Sequence, residues 1–118
     1  MGVVLTGFAD EIGPDPQLQI DTLSAVDVRF LELRAVGGKG VLDLDADEAA
    51  AFKRALDAAG ISVSSIGSPI GKVQVRSDLD AHFARFRIAV ESAQFFGARY
   101  VRVFSFYHEG EDASACRE

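Results

Sequence analysis

Several things that would settle the class of this chain at once are scarce or missing. There is one cysteine, Cys116, in 118 residues. No disulfide can form within a single chain, which fits a reducing compartment. No apolar run approaches the roughly 18 residues of a membrane-spanning helix. The opening "MGVVLTGFADEI" turns acidic without a basic stretch, unlike a secretory leader. Basic residues are the minority, 12 against 18 acidic, for a net charge of −6, and Lys and Arg form no cluster of the kind a nucleic-acid face needs. These absences point to a cytoplasmic protein with neither nucleic acid nor membrane as partner. Familiar chemical signatures are also missing: no G-x-S-x-G, C-x-x-C, H-E-x-x-H or G-x-G-x-x-G occurs. "GSPIGK", residues 67–72, is one residue short of a phosphate loop. Val73 stands where such a loop has Ser or Thr, and Pro69 removes an amide donor.

What is present is one domain's worth of ordinary globular sequence, residues 1–118, 48% hydrophobic and 25% charged. Strand and helix patterns alternate along it. Residues 3–7 are short, apolar and β-branched. A helix over 14–25 follows, with Asp15 as N-cap, Pro16 at the first turn, and Ile20 and Leu23 as a weak apolar stripe. Residues 28–34 are a second strand. Asp45 and Glu48 form a D-x-x-E capping signal ahead of a stripe of Ala49, Phe52, Leu56 and Ala59, closed by Gly60. Residues 61–66 are a third strand. A third helix begins near Ser77, carries Leu79, Phe83, Phe86, Val90 and Ala93 on one face, and ends at Gly97. Residues 100–106 are the fourth strand.

The order β-α-β-α-β-α-β predicts right-handed crossovers and a parallel sheet. Two architectures fit: an open doubly wound sheet, or the first half of a (β/α)8 barrel. The strand faces favour the barrel. Leu31 and Leu33 share one face of the second strand, Glu32 and Arg34 the other. In the third, Ile61 and Val63 oppose Ser62 and Ser64; in the fourth, Val101 and Val103 oppose Arg102. Helices on both sides would bury those polar groups at a cost, whereas a barrel turns them inward, toward the rim where ligands bind.

Each candidate has a functional and a structural reading. Asp10 and Glu11, at the end of the first strand, are either rim carboxylates or solvated loop acids. Glu32 and Arg34, two apart on a strand, are close enough to touch; they either orient a polar substrate or form a buried ion pair. Lys72 is either presented by its loop to an anionic or hydroxylated ligand or sits on a surface turn. Arg102 either braces the interior beside Phe104 and Phe106 or forms part of a ligand floor. His108, amid Glu109, Glu111 and Asp112, matches no metal-site spacing and reads as part of a solvated acidic loop. His82 reads as a helix surface residue, and Cys116 as a bystander.

The segments "GFADEI", "FLELR", "GVLDLDADE", "ISVSSIGSPIGKV" and "YVRVFSFY", in this order between about Gly7 and Tyr107, together resemble the sugar phosphate isomerase/epimerase family of xylose isomerase-like TIM barrels. Asp27 departs from the resemblance, standing before the second strand where such proteins often carry glycine. The resemblance implies an α/β fold: a partial (β/α)8 barrel of about the first four parallel strands and three helices. It implies substrate contacts from Glu32 and Lys72, with Arg34 and Arg102 beside them, toward a sugar or sugar phosphate. Family members hold a divalent metal through Glu, Asp, His and Glu on later strands and move a proton between adjacent sugar carbons. Those strands are not in these 118 residues. The expectation is therefore a chain that carries substrate-facing residues, binds no metal, has no catalytic residue and is inactive alone. The polar stretch "EGEDASACRE" reads as the loop where a fourth helix would begin. Two further expectations stay open: a stand-alone half-barrel that pairs with a second copy and binds a polyol or sugar without catalysis, or a non-functional piece of a longer protein.

Overall fold

The computed structural model describes residues 2–107. Cys116 and the acidic stretch around His108 lie outside these residues. Six strands and three α-helices follow one another: β1 (Thr6–Gly7), α1 (Pro16–Ala25), β2 (Phe30–Leu33), β3 (Ala35–Val36), β4 (Lys39–Gly40), α2 (Ala46–Ala59), β5 (Ser62–Ile66), α3 (Leu79–Phe96) and β6 (Tyr100–Val101). Single 3-10 turns occupy Ala9–Glu11 and Val41–Asp43. Among the described residues, no helix is long and apolar enough to cross a membrane.

Four strands form one parallel sheet in the order β1-β2-β5-β6, which is simply chain order. A doubly wound sheet reverses direction at a switch point; this one does not. Right-handed crossovers between strands laid down in chain order put every helix on the same face. Accordingly α1 lies against α2, and α3 against β5 and β6. The core under the helices is Leu31 and Leu33 of β2, Ile61, Val63 and Ile66 around β5, Ile20 and Leu23 of α1, Phe52 and Leu56 of α2, and Ala89, Ala93 and Phe96 of α3. The opposite face carries the polar residues that the alternation predicts.

That alternation is broken once. Leu31 pairs with Val63, but Glu32 pairs with Ser65 and Leu33 with Ile66, so β5 carries one extra residue, Ser64. The bulge lets Val63 and Ile66, three apart, both enter the core. The Ser64 hydroxyl donates to the Leu31 carbonyl oxygen and accepts from the Thr6 hydroxyl at 2.7 Å, tying β1 and β2 to the bulged strand. Bulges commonly sit where a sheet must re-aim side chains toward a site.

The helix boundaries follow the local chemistry. Asp15 caps α1 by accepting from the Gln17 amide. Asp45 and Glu48 form a complete capping box on α2, and Asp78, one residue beyond the expected start, caps α3. Gly60 and Gly97 close α2 and α3 in the left-handed region. Asp27 also has positive φ, +56°, so the glycine that the resemblance expects there would relieve a strained turn.

Two expectations are corrected and one feature is new. The outer strands are short: β1 is only Thr6–Gly7 and β6 only Tyr100–Val101, and residues 102–106 are held instead by bonds such as Phe104 N–H to Ile70 O at 2.7 Å. The apolar stripe of α3 is buried only in its C-terminal half. Leu79, Phe83 and Phe86 are 44, 65 and 37% exposed, because α3 runs past the sheet and its first two turns meet loop residues such as Gly71 and Phe106 rather than strands. Finally, the segment after β2 turns back as a hairpin, β3 against β4, through Gly37 and Gly38 with φ of +64° and +78°. Two consecutive positive φ values are what a tight hairpin turn demands.

Candidate functional site

Every parallel strand delivers a charged or loop element at its C-terminal end. Asp10 and Glu11 lie in the 3-10 turn after β1, Arg34 just after β2, the loop 67–72 after β5, and Arg102 just after β6. They meet around a pocket of about 270 Å³ whose charged lining is Asp10, Arg34, Asp43, Lys72, Arg85 and Arg102. In a chain of net charge −6, four cations against two carboxylates is a local inversion of sign.

Arg34 is the best-anchored member. Its Nε donates to Asp10 Oδ2 at 2.7 Å and its Nη2 reaches Glu11 Oε1 at 3.5 Å, while its guanidinium lies 4.7 Å from the centre of the Phe8 ring. The hydrogen bond to Asp10, reinforced by that residue's charge, holds the Arg34 guanidinium above its ordinary range against the opposing effect of burial. Asp10 is only 19% exposed, and its second carboxylate oxygen has no hydrogen-bond partner among the described residues. The expected contact between Glu32 and Arg34 does not form. The strand ends between them, and Arg34 turns to the acids of the β1 loop. Glu32 stays half-buried opposite Ser65, without a hydrogen bond among the described residues, and outside the lining of the pocket.

Arg102 both braces and lines. Its Nη2 donates to the Gly67 and Ser68 carbonyl oxygens at 3.2 and 3.3 Å, and the Ser68 hydroxyl donates back to the Arg102 carbonyl oxygen. Its Nε is buried without a partner among the described residues. Neither Arg102 nor Lys72 pairs with a carboxylate among the described residues, and both stack on one ring: the Lys72 ammonium is 4.5 Å and the Arg102 guanidinium 4.6 Å from the centre of Phe104.

The loop between them depends on Gly71. Its φ is +92°, and a Cβ there would lie 1.8 Å from the Phe104 carbonyl oxygen. Its amide donates to His82 Nε2 at 2.8 Å, so His82, read from the sequence as a surface residue, is half-buried and engaged. The other residues that sequence reasoning missed are Arg85, held by Asp43 at 3.0 Å, and the platforms Phe8 and Phe104. Helical periodicity could not show that Arg85 reaches the strand ends, since that depends on how α3 lies on the sheet. The adjacent glycines of "VGGK" are the unread signal that could have found the hairpin bringing Asp43 to the rim.

The donor set does not suit the divalent metal that the resemblance implies for whole family members. Asp10 and Asp43 are each held by an arginine, and the same space is lined by four cations. A divalent cation would have to displace both pairs and approach the remaining positive charges. The site suits an anionic or hydroxyl-rich ligand.

Fold and pocket together define an α/β protein with a charged site at the C-terminal edge of a parallel sheet, the usual place for ligands in such sheets. Compared with known proteins, the chain matches no family model, no curated protein and no solved structure.

Proposed function

We propose that this chain forms the first four strands and three helices of a (β/α)8 barrel of the sugar phosphate isomerase/epimerase type, and that its rim pocket binds a sugar or sugar phosphate in the cytoplasm. One observation carries the reading: charged side chains from the ends of β1, β2, β5 and β6 converge on a single pocket. The one-sided polarity of the sheet and its chain-order strands support the barrel. Chemically, Lys72 and Arg102 line the pocket and supply cations for an anionic group. The pocket is just below the roughly 300 Å³ at which pockets for drug-sized ligands begin, so the ligand is small. In this reading the isolated chain binds without turnover. Isomerisation would belong to the remaining strands of a complete barrel.

The test is a titration of the full chain with a ketose and its phosphate ester, followed by amide chemical shifts. Shifts at Asp10, Arg34, Lys72 and Arg102 are expected. Lys72→Ala or Arg102→Ala should weaken binding by about tenfold, the loss of one hydrogen bond to a charged group. Unmoved rim amides at saturating ligand, or turnover by the isolated chain, would contradict the proposal.

A second reading is favoured by the sheet edges. β1 and β6 each have one unpaired side among the described residues. Val3, Val4 and Leu5, 93, 63 and 66% exposed, flank one edge, and Val103 and Tyr107, 55 and 51% exposed, flank the other. Bare edges invite strand addition, and two copies joined head to tail would make eight strands. Sedimentation decides it: a dimer dispersed by charge at Val4 supports this half-barrel assembly, and a stable monomer at high concentration removes it.

A further inference from the structure

We infer that His82 is a positioning residue for the rim loop, its neutral imidazole holding Lys72 at the pocket and its protonation letting the loop go. His82 lies on α3, outside the charged pocket. Its Nε2 accepts the Gly71 amide at 2.8 Å, and its ring meets Phe106 edge-on with centroids 5.7 Å apart. Around it Ile70, Leu79, Phe83, Phe86 and Phe104 form an apolar groove of about 260 Å³, so the Gly71 amide is the natural partner for Nε2. Accepting that bond requires a lone pair. Protonation turns Nε2 into a second N–H, and two donors then face each other.

Gly71 cannot relieve the conflict by a small shift. It already sits against the Phe104 backbone with φ of +92°, and its neighbour Ile70 accepts the Phe104 amide at 2.7 Å. The loop has to move as a unit, and Lys72, the next residue, moves with it. Its amide is bonded to Pro69 within the same turn. Charged groups among the described residues flank the imidazole on each side. On α3, Asp78 one turn back caps the Ala81 amide, and Arg85 one turn on is held by Asp43. The loop contributes Lys72, which stacks on Phe104. Residues 103–106 contribute no charge. None of these groups hydrogen-bonds the imidazole, so the Gly71 contact carries the effect.

The consequence for ligand binding rests on Lys72 being a ligand group, as proposed above; the coupling between His82 and the loop does not. The experiment therefore needs no ligand. The full chain, labelled with ¹⁵N, is titrated from about pH 8 to about pH 5. The Gly71 and Lys72 amide shifts, the His82 ring signals and amide exchange at Gly71 are followed, with the amides of α2 as a control for global folding. Loss of one hydrogen bond predicts that Gly71 exchange, corrected for intrinsic pH dependence, rises by roughly five- to tenfold on acidification, in step with the His82 ring. His82→Gln, which keeps an acceptor oxygen that does not titrate, should abolish the step. A Gly71 amide that stays still while the His82 ring titrates, or the same step in His82→Gln, would overturn the inference. If the variant does not fold, the wild-type titration alone decides. Should ligand binding fail while the step appears, the fault lies with the sugar reading and not with the latch.

Discussion

At the scale of single residues, the rim is governed by close contacts that tolerate little change. Gly71 has both a positive φ and backbone where a side chain would go. Gly71→Ala is expected to cost on the order of 3 kcal/mol, through overpacking and strain together, read as a lower urea midpoint with an unchanged slope. Arg34 presents the opposite case, a charge whose removal strands another. Arg34→Ala leaves the half-hidden Asp10 with neither oxygen paired. It should destabilise by about 1–3 kcal/mol, and the double variant with Asp10→Ala should recover part of that loss. No recovery in the double variant would mean that the pair contributes little. Both residues carry signals in the sequence. A glycine after "SPI" and an arginine at a strand end stand out, but their partners do not. Asp10 is 24 positions from Arg34, and Phe104 is 33 from Gly71. Spacing along a strand suggested Glu32 as Arg34's partner, and the chain turned at Arg34 to offer a closer acid.

At the scale of elements, local chemistry was readable almost to the residue. The Asp45 and Glu48 signal became a capping box, and Asp45→Ala should cost about 1 kcal/mol, measurable by denaturation at neutral pH. Glu48 also adds a pH dependence. A hydrogen bond from Lys39 at 2.8 Å, followed by one from the Asp45 amide, holds its carboxyl below the ordinary carboxylate range. A carboxyl depressed in the folded state contributes stability that is present above its unfolded value and is lost as pH falls through the folded one. Stability should therefore decline on acidification below the ordinary carboxylate range, and Glu48→Gln should flatten that limb. Lys39, raised by the same contact, gives the mirror image: its share is lost as pH rises through its folded value. Both groups reach solvent, so salt should shrink both limbs. Where element reading failed, the cause was tertiary. The stripe of α3 is genuinely periodic, yet its first turns overhang the sheet, and periodicity does not show where a partner ends.

At the scale of the whole molecule, one core holds three helices to one face of four parallel strands. Phe52 and Leu56 sit at its centre, 3 and 2% exposed. Phe52→Ala should cost about 3–5 kcal/mol, a large part of the roughly 5–15 kcal/mol typical of a domain. It should also unfold the rim along with α2 if the chain behaves as one cooperative unit; a rim that survives, by its amide shifts, would mean separate folding units. The sequence by itself determined the alternation of four parallel strands with three helices, the caps, the apolar face of the sheet and the polar identity of the other face. Those depend on backbone preference and on periods of two and 3.6 residues, which act over a turn or a strand. Only the tertiary structure decided the bulge at Ser64, the pairing of Arg34 with Asp10, the recruitment of Arg85, the placement of Lys72 and Arg102 on one Phe104 ring, and the grip of His82 on Gly71. Each of these depends on where two distant segments come to rest against each other, and that is set by the packing of the whole core.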